Sequence, residues 1–194
     1  MSKQGTKGQK TKEILLNVAI GLLEESGLDA ITLRTIGAEA GLSPMAAYRH
    51  FKDKSELLVS IAAFGFDQLA EAMQSSLRRC GDDDPRAQLR SALLAYIDFV
   101  DTHPHLYSLM AGREVREAPS GLSVQAGKRV FALLSGLVAR TMPDAAHDLP
   151  VRTGLVLACV HGISDLRLAG HVSDDDGLDN VGRLIAELVD WLPR

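Results

Sequence analysis

A chain of 194 residues can hold one hydrophobic core, or a small domain beside a larger one. Hydrophobic residues make up 46 % of it, too many for a disordered segment, while aromatic residues are few at 5 %. The formal net charge of −4 at pH 7 argues against a nucleic-acid binder until it is divided along the chain.

Residues 1–60 hold eight Lys/Arg against seven Asp/Glu, whereas residues 61–194 hold 13 against 18. The basic groups gather at Lys3, Lys7, Lys10 and Lys12 and again between Arg34 and Lys54. Such asymmetry suits a protein that presents one end to phosphate and keeps the other away. Leucine and alanine dominate and β-branched runs are scarce, so the composition is that of an all-α protein. No apolar run approaches the roughly 18 residues of a membrane span, and the first dozen residues are polar. Cys80 and Cys159 have no CxxC partner, and the expectation is a cytoplasmic protein with two reduced thiols.

Residues 1–10 read as a flexible tail. Its lysines either add contacts to phosphate or are simply solvated. A helix is expected over residues 11–26, with Thr11 as cap, Ile14, Leu15, Val18, Ala19, Leu22 and Leu23 inward, and Gly27 as its end. The next helix, residues 32–40, opens with Thr32 and repeats Leu33, Ile36 and Ala40 on one face. Gly41 follows where the chain must leave the helix through the left-handed region. Ser43 and Pro44 then start a second short helix as cap and first helical residue, with Ala47 and Phe51 on its inner edge. Helix, glycine turn and short helix are the plan of a helix-turn-helix, whose second helix enters a DNA major groove; the alternative is an ordinary helical hairpin.

Around that second helix lie donors for phosphate and base edges: Arg34, Tyr48, Arg49, His50, Lys52 and Lys54. Arg34 either reaches a guanine edge or pairs with Glu39. Pro44, Met45 and Ala46 occupy the start of the helix and suit thymine methyl groups, and Thr32 and Ser43 can add backbone-directed bonds. Residues 13–61 resemble the DNA-binding domain of the TetR family of bacterial transcriptional repressors. The resemblance is carried by an amphipathic first helix, then Thr32, Leu33, Arg34, Ile36, Ala38, Ala40, Gly41, Leu42 and Ser43, then Tyr48, Arg49, His50 and Phe51, then Lys54, Leu57 and Leu58. It implies that Tyr48, His50 and Lys54 clamp phosphates. Where family members often carry a hydrogen-bonding residue or a glycine–threonine pair, this sequence has Met45, Ala46 and Ala47.

A long helix is expected from Asp53 to about Arg79, and in the resemblance it connects residues 11–60 to a helical domain spanning residues 61–194. The aspartates 82–84 read as an acidic cap before the helix opened by Pro85 rather than as a metal site. That helix ends near Thr102, and Pro104 opens a shorter one. Residues 112–123 read as a loop, residues 124–142 as a helix, and residues 151–169 and 178–192 as the last two. Leu155, Ala158, Gly162 and Leu166 on one, and Val181, Ile185 and Leu188 on the other, carry more apolar surface than a terminal hairpin hides, which predicts a four-helix homodimer interface. Val160, His161 and Gly162 also resemble a TetR subgroup named for a Trp-His-Gly triplet, with Val160 in place of the tryptophan.

The resemblance further implies a small-molecule effector pocket. Aromatic and apolar candidates for its walls are Phe64, Tyr96, Phe99, Tyr107, Met110 and Phe131, with His161 and Asp165 as polar groups. His161 and Asp165, four apart, are equally a core polar pair. No nucleotide-binding, zinc-protease or nucleophile-elbow motif is present, and no cofactor or catalytic set is expected. The expected function is a homodimeric repressor of a palindromic double-stranded operator, released by an effector; a helical protein–protein adaptor is the alternative.

Overall fold

Leu15, Leu16, Ala19, Ile20 and Leu23 are buried at helical spacing along α1, Lys3–Ser26. A computed structural model of the chain describes residues 3–81, 83–117, 121–171 and 177–193, and their side chains except those of residues 3–7, 44, 114, 145 and 146. The helix starts eight residues ahead of Thr11, and its buried stripe is turned from the expected one: Ile14 is half exposed and Leu16 and Ile20 are inside. Ile14, Leu15, Leu16, Val18, Ala19, Ile20, Leu22 and Leu23 spread beyond one face of this helix, so its period alone does not fix the buried side.

A single 3-10 turn, Leu28–Ala30, leads to α2, Leu33–Glu39, and α3, Pro44–Tyr48. The long α4, Lys54–Cys80, follows, then α5, Pro85–Thr102, α6, Pro104–Ala111, and α7, Arg113–Arg116. The chain ends with α8, Leu122–Thr141, a 3-10 turn at Pro143–Asp148, α9, Leu149–Leu168, and α10, Val181–Asp190. No strand occurs among the described residues, as the all-α composition requires. The loop expected over 112–123 contains one helical turn, α7, held by an Arg113–Glu117 pair at 2.9 Å. Asp84 caps α5 as expected, accepting from the Arg86 and Ala87 amides at 3.2 Å. α8 is long and apolar enough by length and composition to cross a membrane, yet Lys128 and Arg129 interrupt it and Ala126, Val130, Leu134, Leu137 and Val138 form a buried stripe.

The helices group into two compact units. The first joins residues up to Phe66 with His103–Gly127, and the second joins Asp67–Thr102 with Lys128–Arg194. This grouping differs from the boundary expected at residue 60, because α6 packs on α1 and α4. The side chain of His103, the residue before α6, accepts no capping bond. Glu24 of α1 caps the helix instead: its carboxylate accepts from the Leu106 amide at 2.8 Å and the His105 amide at 3.1 Å. A carboxylate at a helix N-terminus also meets the positive end of the helix dipole. On α4, a Cβ at Gly65 would stand 2.8 Å from Met110 Sδ and 3.0 Å from Leu106 Cδ1, so glycine permits this close approach.

In the second unit α5 packs against α9 and α10. Arg86 performs the opposite service to Glu24, its guanidinium donating to the Val189, Leu192 and Pro193 carbonyls at the C-terminal end of α10. Arg90 pairs with Asp190, Arg167 with Asp101 at 2.8 Å, and Arg129 with Asp67. Tyr96 of α5 meets His161 of α9, hydroxyl to Nε2 at 3.1 Å, with the rings edge to face.

Two outcomes follow from this packing. Replacing Glu24 by alanine leaves two α6 amides without their acceptor and costs about 1–3 kcal/mol in urea unfolding, with Glu24→Gln losing less; an unchanged midpoint for Glu24→Ala would show that the cap contributes nothing to stability. Burial lowers the His161 pKa below its ordinary 6.5, while Asp165 pushes back. The unfolded chain therefore takes up that proton first, and stability falls as the pH drops through about 6.5. Unfolding curves between pH 7 and 5 should show a smaller loss in His161→Gln than in the parent.

Candidate nucleic-acid interface

Thr32 and Thr35 lock the start of α2 reciprocally: the Thr35 amide donates to the Thr32 hydroxyl at 3.0 Å, and the Thr32 amide to the Thr35 hydroxyl at 3.0 Å. At its other end Gly41 turns the chain with φ +65°, a conformation that costs a side-chain-bearing residue, and Leu42 N closes the turn onto Gly37 O at 2.9 Å. Ser43 stands at the cap position of α3, but its hydroxyl makes no capping bond and remains exposed. Only Pro44's backbone, at the first turn of α3, is described; its expected side-chain contact lies outside the described residues.

The five residues of α3 divide sharply. Ala46 is 4 % exposed, and Ala47 and Phe51 are buried with it, against Met45 at 67 % and Tyr48 at 51 %. Ala46 is therefore not available to a thymine methyl group: its Cβ faces the protein, one position before Ala47 on the inner face. Met45 and Tyr48, three apart, form the exposed face of α3, with the exposed Arg49 at its C-terminal cap. Lys52 is exposed in the bend that follows α3.

His50 is half-buried, its ring 6.4 Å from the Phe51 ring, and Lys12 Nζ lies 5.5 Å over the Phe51 centroid. Burial, then the charges of Arg49 and Lys12, lower the His50 pKa below 6.5. At neutral pH His50 thus offers one neutral N–H to a phosphate and no charge. Lys54 Nζ donates to Leu28 O at 3.3 Å, which ties the start of α4 to the 3-10 turn and leaves further N–H donors on an exposed ammonium. Arg34 is exposed and makes no ion pair with Glu39. Asp53 caps α4 by accepting from the Glu56 amide at 2.8 Å, and Glu56 accepts from the Lys52 amide at 2.8 Å.

The expected effector residues are divided between the two units. Phe64, Tyr107 and Met110 belong to the first unit and Tyr96, Phe99, Phe131, His161 and Asp165 to the second. Phe131 and Asp165 are exposed. A cleft of about 330 Å³ does lie in the first unit, and Met110 is the one expected residue on it. Its other walls are Phe66, Ala111, Val115, Arg116, Ser123, Val124 and Gly127. The residues of α7 were hidden inside an apparent loop, and only the apolar Val115 in a charged segment hinted at them.

Of the expected dimer residues, Leu155 is 62 % exposed, Ala158 and Leu166 are exposed, and Gly162, Val181 and Leu188 are partly so. Ile185 is fully buried and serves the core of the second unit instead, beside Val189 on the same α10 face.

Residues 15–61 match the family model described as bacterial regulatory proteins, tetR family, and residues 89–192 match one described as Tetracyclin repressor-like, C-terminal domain. Among curated proteins, the nucleoid occlusion factor SlmA of Enterobacter sp. (strain 638) is 32 % identical over 110 residues, 57 % of this chain and 54 % of that protein. The chain thus spans about half the length of the curated relatives it matches. A Rhodococcus sp. RHA1 protein of unknown function superposes with a TM-score of 0.76 at 29 % identity, covering 93 % of this chain and 92 % of that one. The TetR family transcriptional regulator PfmR of Thermus thermophilus superposes with a TM-score of 0.65 at 21 % identity, covering 93 % and 99 %. With residues 15–61 and more than half its length matched in order, the chain belongs to the TetR family of bacterial regulatory proteins.

Proposed function

We propose that the protein is a homodimeric repressor that binds a palindromic operator and is released by a small-molecule effector. The observation that carries the DNA-reading half is the division of α3 and the turn after it: Ala46, Ala47 and Phe51 are buried, while Met45, Tyr48, Arg49 and Lys52 are exposed. In a major groove, Met45 suits a thymine methyl group, Tyr48 can donate to a phosphate or base edge, and the two cations suit flanking phosphates. Arg34 and Ser43, both exposed, can extend the contact to the backbone.

Support for the dimer comes from α9. Val151, Leu155, Ala158, Cys159 and Leu166 are exposed along one face of a helix whose opposite face, Thr153, Val156, Val160 and Ser164, is already buried. Partly exposed Val181 and Leu188 add apolar surface on α10. A second copy packing α9 and α10 against their equivalents would remove this surface from water, and a two-fold axis would match a palindrome. Release requires an effector that binds the operator-incompetent state more tightly than the bound one. The cleft beside α6 suits this role, because Glu24 fastens the N-terminus of α6 to α1, which backs the reading head. A shift of α6 on ligand binding would be passed to α1 through that cap.

Selection of bound sites from random duplexes is expected to return a palindrome whose half-sites lie about 10 base pairs apart or at a multiple of that. On the selected site, Arg49→Ala and Lys52→Ala should each weaken binding across sequences and lower the slope of log K against log salt by about 0.9 for each phosphate no longer neutralised. Met45→Ala should relax preference at one base pair with the slope unchanged. Unaltered slopes in both cation variants would take these residues off the phosphate backbone, and a selection that enriches no symmetric site would overturn the operator reading.

A further inference from the structure

The cleft of the first unit is apolar over most of its wall: Phe66, Met110, Ala111, Val115 and Val124 line it, with Gly127 at its floor. A Cβ at Gly127 would stand 3.6 Å from the Phe66 ring, an ordinary contact distance. Two groups break the pattern. Arg116 is the only charged residue on the cleft, and it is exposed, with no ion pair or hydrogen bond from its side chain among the described residues. The neighbouring Arg113 and Glu117 of α7 are committed to each other. Ser123 is buried, and its hydroxyl has one long contact, 3.5 Å to Val115 O, at the outer limit of a hydrogen bond.

Resting on the reading that a small molecule controls the protein, we propose that this cleft takes an amphipathic anion, an apolar body with a single carboxylate or comparable acidic head bound by Arg116 and Ser123. Burying the body against Phe66, Met110, Val115 and Val124 supplies the affinity. The guanidinium is weakly hydrated and its fork matches a carboxylate with two parallel N–H bonds, so the head gains more from Arg116 than from water-screened charge alone. A neutral body of the same length forgoes that bond, and a cationic one is repelled. Specificity here is set by charge at one end of an otherwise permissive apolar wall.

Calorimetric titration of the full chain with decanoate, decan-1-ol and decyltrimethylammonium tests this. Decanoate is expected to saturate at one per chain and to bind about tenfold or more tightly than decan-1-ol, with the cation binding least. Arg116→Gln should bring decanoate down to the level of decan-1-ol without changing the latter, and Arg116→Lys should restore most of the difference. Equal affinities in the parent protein, decanoate affinity unmoved by Arg116→Gln, or no decanoate binding would each overturn the proposal. Operator affinity measured in the same samples separates the two readings. If decanoate fills the cleft and the operator complex persists, the effector role falls and the ligand class stands. If decanoate does not bind while the operator is still recognised, the ligand class falls and the DNA-reading function stands.

Discussion

A helix of five residues does not hold itself together in water, since nucleation costs more than one turn returns. The orientation of α3 therefore rests on burial of Ala46, Ala47 and Phe51. Two successive alanines let the short helix come close to α2, and Phe51 fills the space behind it under the Lys12 ammonium. Everything assigned to the outer face follows from this: with its inner side committed, α3 can present only Met45, Tyr48, Arg49 and the residues just after it. The Gly41 turn and the Thr32–Thr35 lock set the direction from which it is presented. Each is a short-range device, and together they make a rigid reading edge from few residues.

The same economy recurs in the caps. Glu24 closes the N-terminus of α6 and Arg86 the C-terminal end of α10, each from a helix remote in sequence and each with the charge sign the helix dipole favours. Within the first unit this makes α6, and with it the cleft, a partner of α1 rather than an appendage of the C-terminal helices. A ligand that moves α6 then has a direct route to the helix behind the reading head.

The parts legible in the sequence were those decided by local chemistry. Thr32 as cap, Gly41 as the left-handed turn, Asp84 before Pro85 and the inward Leu33, Ile36 and Phe51 depend on neighbours within a few positions. What was not legible depended on choosing between equivalent faces or on distant partners. The apolar residues of α1 spread beyond one face, so Ile14 and Leu16 exchange places without changing its period. Ala46 is small enough for either side of α3, and only tertiary packing places it within. Ile185 has the chemistry of an interface residue and of a core residue alike. The Glu24 cap spans more than eighty positions and has no sequence signature, so the association of α6 with the head was out of reach. For the same reason residue type alone does not find the cleft, and Met110 is the one expected effector residue on it.

The central claim is that the outer face of α3 lies against a double helix. Alkylation of a cysteine placed at Met45 measures it most directly, read against a control cysteine at the exposed Lys128 of α8. With a selected duplex bound, the rate at position 45 should fall several-fold while the rate at position 128 holds. Equal rates at position 45 with and without the bound duplex would contradict the account.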